Sequence, residues 1–506
     1  MSRRLSILAT VILLLFVLVA AQAAYIQFFH ASTLNASPLN PRTNSLSSNA
    51  PRGQIVGADG TILAYSSPTK GGATYRRVYP LGGLTAGVVG FVAPLIPSLW
   101  GLEEEYNSYL TPQAQPAQSF EQLLAPVTSA DSVQTTLYPA LQKIAQFKMG
   151  GQDGAAVVID PRTGNVMAMY SNPTYQPSFL TVPNRTAALA YFNKIAKNNV
   201  HGFPPLGLMA TQQTFPPGST FKVITTAAAA IYNPSLLNKS YPVLPSYTPP
   251  TSNQPLLNDG GSACGGTVQL MLPQSCDPGY ARLGVDIGAK DMSLTANAFG
   301  YNSTPPIDLP PYQPIVSNAF FPTAARFKYD IPSLAYSAIG QKDVRSTALQ
   351  QALVASAIAD SGTIMTPHLM ESITGPDGTL VKKFADSVWK KPLTAALAGI
   401  IVPLMEDVVQ KSYGTAYGVG FLPQDQVAAK TGTAQTGVGN TNTDDWMIAF
   451  APASHPTVAV AVVMPYQAKT NYGATVAGPI VKCLIEGALA IQEHQRPTGT
   501  STTCPS

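Results

Sequence analysis

Charge is scarce in this chain: Asp, Glu, Lys and Arg make up 11% of its 506 residues, and 30 Lys and Arg against 26 Asp and Glu leave a net charge of +4. With no long basic run, the electrostatic footprint of a nucleic-acid surface is excluded, and no nucleic acid is expected among its partners. Histidine is scarcer still. The five histidines, His30, His201, His368, His455 and His494, are scattered without ligand spacing, so neither a metal site nor a cofactor is expected. Proline is plentiful instead, with 45 residues, and Ser, Thr and Asn fill the connections. That mix fits a loop-rich, folded, exported protein better than a disordered one, and the length allows two or more domains.

Export is supported at the N-terminus, where Arg3 and Arg4 precede an apolar run from Leu5 to about Ala24, continued by Tyr25, Ile26, Phe28 and Phe29. The run reaches the roughly 20 residues a spanning helix needs, and its aromatic end suits a membrane interface. The arginines are expected to stay cytoplasmic, with the rest of the chain outside. Ala21-Gln22-Ala23 could pass for a cleavage site, but an uncleaved anchor over residues 1–30 is the reading adopted. In an oxidising compartment four cysteines allow three full pairings. Cys264 and Cys276, flanking a Gly-rich turn, are the plausible pair and leave Cys483 and Cys504; Cys276 reads equally well as a small buried hydrophobe.

After a Ser/Asn/Pro-rich linker at 31–50, order is expected from Pro51. Arg52 to Ile55 and Thr61 to Tyr65 read as short strands around Asp59-Gly60, and Gly101 to about Leu110 as a short helix. Val133 to Leu137 reads as a strand and Tyr138 to Met149 as an amphipathic helix. Nothing in 51–150 suggests catalysis, so it reads as a supporting or interaction module. A second unit, 151–492, opens with a hairpin, Ala155 to Asp160 and Asn165 to Tyr170, apolar on nearly every residue and so expected in a sheet buried on both faces. Residues Tyr232 to Pro273 read as irregular. Helices are expected at Tyr280–Leu283, Ser346–Asp360, Leu393–Val409 and Ala477–Ile491, strands at Val427–Ala434, Asp445–Phe450 and Val458–Met464, and a disordered tail at 493–506.

One stretch carries chemistry. Phe215-Pro216-Pro217-Gly218-Ser219-Thr220-Phe221-Lys222 stops the preceding segment, and Val223 to Ala230 continues as an apolar run long enough for a buried helix. Ser219 is expected at the helix N-terminus, with Lys222 on the same face one turn on. A serine hydroxyl is a poor nucleophile until a base takes its proton, and a lysine is that base only if burial or a nearby cation keeps it neutral. Alone the pattern is common, and a serine there is more often an N-cap. Two further motifs follow: Ser275-Cys276-Asp277, then Lys430-Thr431-Gly432-Thr433 on a strand whose glycine lets another backbone approach. Ser-x-x-Lys, Ser-x-Asp/Asn and Lys-Thr-Gly in that order mark penicillin-binding proteins and serine β-lactamases.

With Arg52-Gly53-x-Ile55, Gly101-Leu102-Glu103, Asn184-Arg185 and Ile339-Gly340-Gln341 added, the sequence resembles class B penicillin-binding proteins, and among them the actinobacterial penicillin-binding protein A group of peptidoglycan transpeptidases. The resemblance implies a multidomain α/β (α+β) protein. It would comprise the anchor, a small mixed pedestal or dimerisation-type module, and a C-terminal transpeptidase domain with an antiparallel five-stranded sheet flanked by helices plus an all-helical subdomain. It further implies Ser219 as acylated nucleophile, Lys222 as its base, and Ser275 bridging Lys222 to Lys430. The backbone N–H groups of Ser219 and Thr433 would form the oxyanion hole, and Lys430, Thr431, Gly432, Thr433, Gly340 and Gln341 would bind substrate. The implied partners are peptidoglycan stem peptides on a lipid-linked precursor or nascent glycan, β-lactams as covalent inhibitors, and a multispanning glycan polymerase. The implied location is the bacterial cell membrane, single-pass, with the catalytic domain outside. Asp277 departs from the asparagine usual in the middle motif: an ionised carboxylate only accepts hydrogen bonds, and its charge would favour a protonated Lys222. A catalytically weak or silent assembly scaffold, and a β-lactamase or β-lactam sensor, are the alternative readings.

Overall fold

The apolar N-terminal run forms one continuous helix, α1 (Ser2–Phe29), whose Ile7–Ile26 stretch has a mean hydropathy of 2.7 and is exposed. Among the described residues of this computed structural model it is the one helix long and apolar enough to cross a membrane. The structure describes residues 2–29, 50–69, 71–72, 74–96, 98–114, 128–199, 201–310, 317–436, 441–493 and 504. Nearly all of the expected linker and tail lies outside them.

Two sheets organise the rest. In chain order their strands are β1 (Ile55–Val56), β2 (Ile62–Pro68), β3 (Tyr75–Val78), β4 (Ser132–Thr135), β5 (Gly154–Ile159), β6 (Val166–Asn172), β7 (Met370–Thr374), β8 (Leu380–Lys383), β9 (Ala428–Thr436), β10 (Asn442–Ala451) and β11 (Val458–Ala468). The helices used below are α2 (Pro139–Met149), α3 (Lys222–Tyr232), α4 (Asp277–Ile287), α5 (Ala348–Ala359), α6 (Ala395–Gln410) and α7 (Gly478–Gln492).

The first sheet has the order β8-β7-β4-β1-β2-β3. Ile55 lies between Ala64 on one side and Val133 on the other, and Val133 is opposed in turn by Ile373, so the buried residues of this sheet form one apolar row. Its last two strands come from residues 370–383, far along the chain. A hairpin from the second unit thus covers the edge of β4 that would otherwise stand open.

Helix α2 shows the converse exchange. Sequence order puts it with the first module, yet Leu141, Ile144, Ala145 and Met149 pack with Ile480, Val481 and Leu484 of α7 over the second sheet. Pro139 opens it and Gly150, in the left-handed conformation at φ +58°, ends it.

The second sheet, β6-β5-β11-β10-β9, is antiparallel throughout, with Val157 opposite Ala461 and Lys430 opposite Ile448. Along β5 the residues Ala155, Val157 and Ile159 face one core with α5, whereas Ala156 and Val158 face the other with α2 and α7. Both faces are covered, which accounts for the uninterrupted apolar hairpin. Strand β9 is left at the edge. Beyond α5, α3 runs through a helical layer against α4 and α6.

The stretch expected to be irregular, Tyr232 to Pro273, holds two small ladders, Tyr241–Leu244 with Cys264–Gly266 and Ser246–Tyr247 with Leu256–Leu257. Strands of two to four residues leave no readable period.

Candidate active site

The stretch that carries Ser219 is clamped by Trp446 and Gly340. Trp446 of β10 donates from Nε1 to the Pro216 carbonyl at 2.9 Å, and the Gly218 N–H donates to the Gly340 carbonyl at 2.9 Å. Gly340, at φ +73°, has no room for a side chain: a Cβ there would sit 2.1 Å from the Gly218 carbonyl oxygen. Residues Gly218–Phe221 form a 3-10 turn that runs into α3, so Ser219 stands just ahead of the helix and Lys222 opens it. Thr220 closes that turn by donating to the Pro217 carbonyl at 2.9 Å.

The turn sets Lys222 in a different relation to Ser219 from the one expected. Among the described residues the Ser219 hydroxyl has no hydrogen-bond partner, and the Lys222 amine is turned to the middle motif. Lys222 Nζ donates to the Ser275 carbonyl, to Ser275 Oγ at 3.2 Å and to Asp277 Oδ1 at 2.6 Å. Lys430 reaches the same hydroxyl from β9, with Nζ 2.9 Å from Ser275 Oγ and 2.8 Å from the Thr431 carbonyl. Ser275 therefore bridges the two lysines. It does so from φ +56°, a left-handed conformation that presents both its carbonyl and its hydroxyl to Lys222.

The middle motif is fixed from outside as well. Cys276 is bonded to Cys264, with Cα atoms 5.7 Å apart, and the Asp277 N–H donates to Asn258 Oδ1 at 3.0 Å. The other two cysteines, Cys483 and Cys504, are bonded to each other.

Both lysines are fully buried. Burial lowers the Lys222 pKa, with the Asp277 carboxylate opposing the shift. Lys430 is pushed well below its ordinary value by burial and then by the nearby Lys222 charge. The Tyr280 ring, 5.6 Å from Lys222 Nζ, completes the wall.

This array lies at the floor of a cleft of about 410 Å³ lined by Ser219, Ser275, Asp277, Thr431 and Thr433. Thr433 Oγ1 accepts from the Gly473 N–H at 3.2 Å, and the Thr431 hydroxyl lies 2.6 Å from that of Thr415. The Thr433 main chain also lies close against Gly218, where a Cβ would be 2.9 Å from the Thr433 carbonyl oxygen.

The Ser219 turn, a lysine-serine-lysine array and an edge strand bearing Lys-Thr-Gly now meet at one cleft. The family profile of the penicillin-binding protein transpeptidase domain matches residues 154–486. The chain belongs to that family. The profile of the penicillin-binding protein A dimerisation domain matches residues 52–135. A peptidoglycan D,D-transpeptidase PbpA of Mycolicibacterium smegmatis is 35% identical over 512 residues, spanning 97% of this chain and 99% of the relative. Its namesake in Mycobacterium tuberculosis is 33% identical, over 96% and 98%. Among solved structures, penicillin-binding protein A from M. tuberculosis as its ceftriaxone acyl-enzyme gives a TM-score of 0.78 at 31% identity, covering 89% of this chain and all of that one. The imipenem acyl-enzyme of the same protein gives 0.76 at 32%, covering 87% and 99%.

Within this penicillin-binding protein the three motifs converge, whereas Gly340 and Gln341 do not line the cleft; Gly340 backs the Gly218–Phe221 turn instead. Asn258, Asp259, Thr415, Tyr472 and Gly473 line it without having been singled out. Asn258-Asp259-Gly260-Gly261 carries turn chemistry, and Gly414-Thr415-Ala416 a short loop, but neither spells a motif.

Proposed function

We propose that this protein is a peptidoglycan D,D-transpeptidase that works through a serine acyl-enzyme and is acylated by β-lactams. The observation that carries the reading is the continuous contact from Lys222 through Ser275 to Lys430 in the cleft that Ser219 also lines. Ser219 attacks the carbonyl between the two terminal D-alanines of a stem peptide while Lys222, as neutral amine, takes its proton. The proton passes by way of Ser275 to the departing D-alanine nitrogen, and an amine of a second strand resolves the ester. The Ser219 and Thr433 N–H groups hold the oxyanion, where one donor typically contributes about 2.7–4 kcal/mol. Lys430, Thr431 and Thr433 take the terminal carboxylate, and the edge of β9 accepts the extended peptide as an added strand.

The apolar Ile7–Ile26 span of α1, preceded in the chain by Arg3 and Arg4, fits a single-pass anchor with the catalytic domain outside the cell membrane. A membrane-spanning glycan polymerase is the partner whose strands the enzyme would join. The test is labelling of the full chain in detergent with a fluorescent penicillin, beside Ser219→Ala. A stable adduct on the native protein alone is expected; no adduct, or an equal adduct on the variant, removes Ser219 from its role.

A further inference from the structure

We infer that the free enzyme stores a proton on Lys222, held there by Asp277, and that the carboxylate of an incoming acyl donor draws it through Ser275 onto Lys430, arming Lys222 as the base. The inference rests on the preceding reading of Lys222 as base and of Lys430 as part of the carboxylate site.

Donor counting comes first. An ammonium has three N–H donors and a neutral amine two plus a lone pair. Lys222 Nζ faces three acceptor atoms, the Ser275 carbonyl, Ser275 Oγ and Asp277 Oδ1, so an ammonium is fully used and no lone pair faces Ser219. Lys430 Nζ has two neighbours, and a neutral amine satisfies both by donating to the Thr431 carbonyl and turning its lone pair to Ser275 Oγ.

Charge agrees with the count. Among the described residues Lys222 has an ion-pair partner, Asp277, and Lys430 has none. Around Lys222 stand Asp277, the Tyr280 ring, the more distant charge of Asp259, and Lys430, with its repulsive effect on a second ammonium. One fixed carboxylate between two buried amines favours one ammonium, next to that carboxylate.

A donor carboxylate at Lys430 supplies the second anion and reverses the preference. An N–H bond of Lys222 breaks as an O–H bond forms on Ser275, and the original Ser275 O–H breaks as an N–H bond forms on Lys430. One proton moves and no other reactant is needed. Lys222 then holds a lone pair while still donating to Asp277 and the Ser275 carbonyl. Asp277 is on this account a positioning residue, acting through Lys222. It makes Ser219 unreactive until a carboxylate-bearing donor is bound.

The experiment measures second-order acylation rates of the full chain against pH with two matched thioester donors, one ending in a free carboxylate and one in its methyl ester. For the native protein the acid limb with the carboxylate donor should lie about one pH unit or more below that with the ester. Asp277→Asn should move the ester limb down by about one unit, raising its rate near neutrality about tenfold while the alkaline plateau changes by less than about threefold. Coincident limbs in the native protein, an unmoved ester limb in a folded Asp277→Asn, or no ester reaction even near pH 10 would each overturn the proposal. If the variant does not fold, the two-donor comparison on the native protein decides. Failure of the underlying reading shows separately, as acylation that persists in Ser219→Ala or as no acylation by either donor.

Discussion

Two buried polar networks in this protein hold the same inventory, two basic side chains and one carboxylate, and serve different ends. In the first module Glu103 lies between Arg52 and Arg77, all three almost without exposure. Arg52 adds bonds to Asn107 at 2.9 Å and Thr111 at 2.8 Å, and Arg77 donates to the Gly53 carbonyl at 2.7 Å. Burial raises the Glu103 carboxyl, but the two guanidiniums outweigh it and hold the pKa below the ordinary value. In the cleft the basic side chains are Lys222 and Lys430 and the carboxylate is Asp277. A guanidinium keeps its charge at any pH the protein meets, so the first network only ties strands together. An amine can give up a proton once buried, so the second can do chemistry. The difference lies in residue type and in access to the cleft.

The comparison breaks most sharply at Lys222. Lys222→Met should lower the acylation rate by about 10²–10⁴-fold, the range typical of a lost general base, in a protein that still unfolds cooperatively. Penicillin labelling rates beside a denaturant curve check it. A variant acylated as fast as the native protein would move the base elsewhere.

At Glu103 the loss should fall on the other quantity. Glu103→Ala leaves two buried guanidiniums without a counter-charge, and breaking a buried pair in this way costs about 3–5 kcal/mol. Denaturant unfolding should show that loss while the protein that remains folded is acylated at the native rate. A selective fall in acylation, with stability kept, would mean that the first network acts on the cleft.

Gly340→Ala tests the contact between scaffold and site. The new methyl would meet the Gly218 carbonyl and strain a left-handed backbone, displacing the turn that carries Ser219. A fall of about tenfold in acylation is expected, since a misplacement near 1 Å can cost about 10². No change in rate would show that the turn is held by Trp446 alone.

The sequence made the cleft network far more legible than the triad. Ser219, Lys222, Ser275 and Lys430 sit in three short words whose order is itself a signal, and the five-stranded sheet shows in runs such as Ala155 to Ile159, apolar because both faces are covered. Arg52 and Glu103 were visible only as parts of a resemblance, because their meeting spans some 50 residues and leaves no period. The same holds for Thr415 and Asn258, single residues in loops, and for the hairpin β7–β8, whose partner β4 is remote in sequence. The exchange of α2 for that hairpin was hidden too, since an amphipathic stripe tells that a helix packs but not on which sheet.

The smallest expected effect separates the networks by the pH window in which each acts. With its folded pKa depressed, Glu103 contributes stability that is present above the unfolded carboxyl value and is lost as pH falls through the folded one. The lysines act with the same sign in a different window: their folded pKa values are also lowered, so the unfolded chain binds the extra protons and stability rises as pH climbs toward the ordinary lysine value. Glu103→Gln should therefore flatten the acid side of a stability-against-pH curve, by at most about 1.4 kcal/mol per pH unit for one proton. Lys430→Met should flatten the alkaline side and leave the acid side as it was. Unfolding midpoints taken across the pH range check both. A Glu103→Gln protein with an unchanged acid slope would show that its carboxyl is not held ionised by the two arginines, and the likeness between the networks would end there.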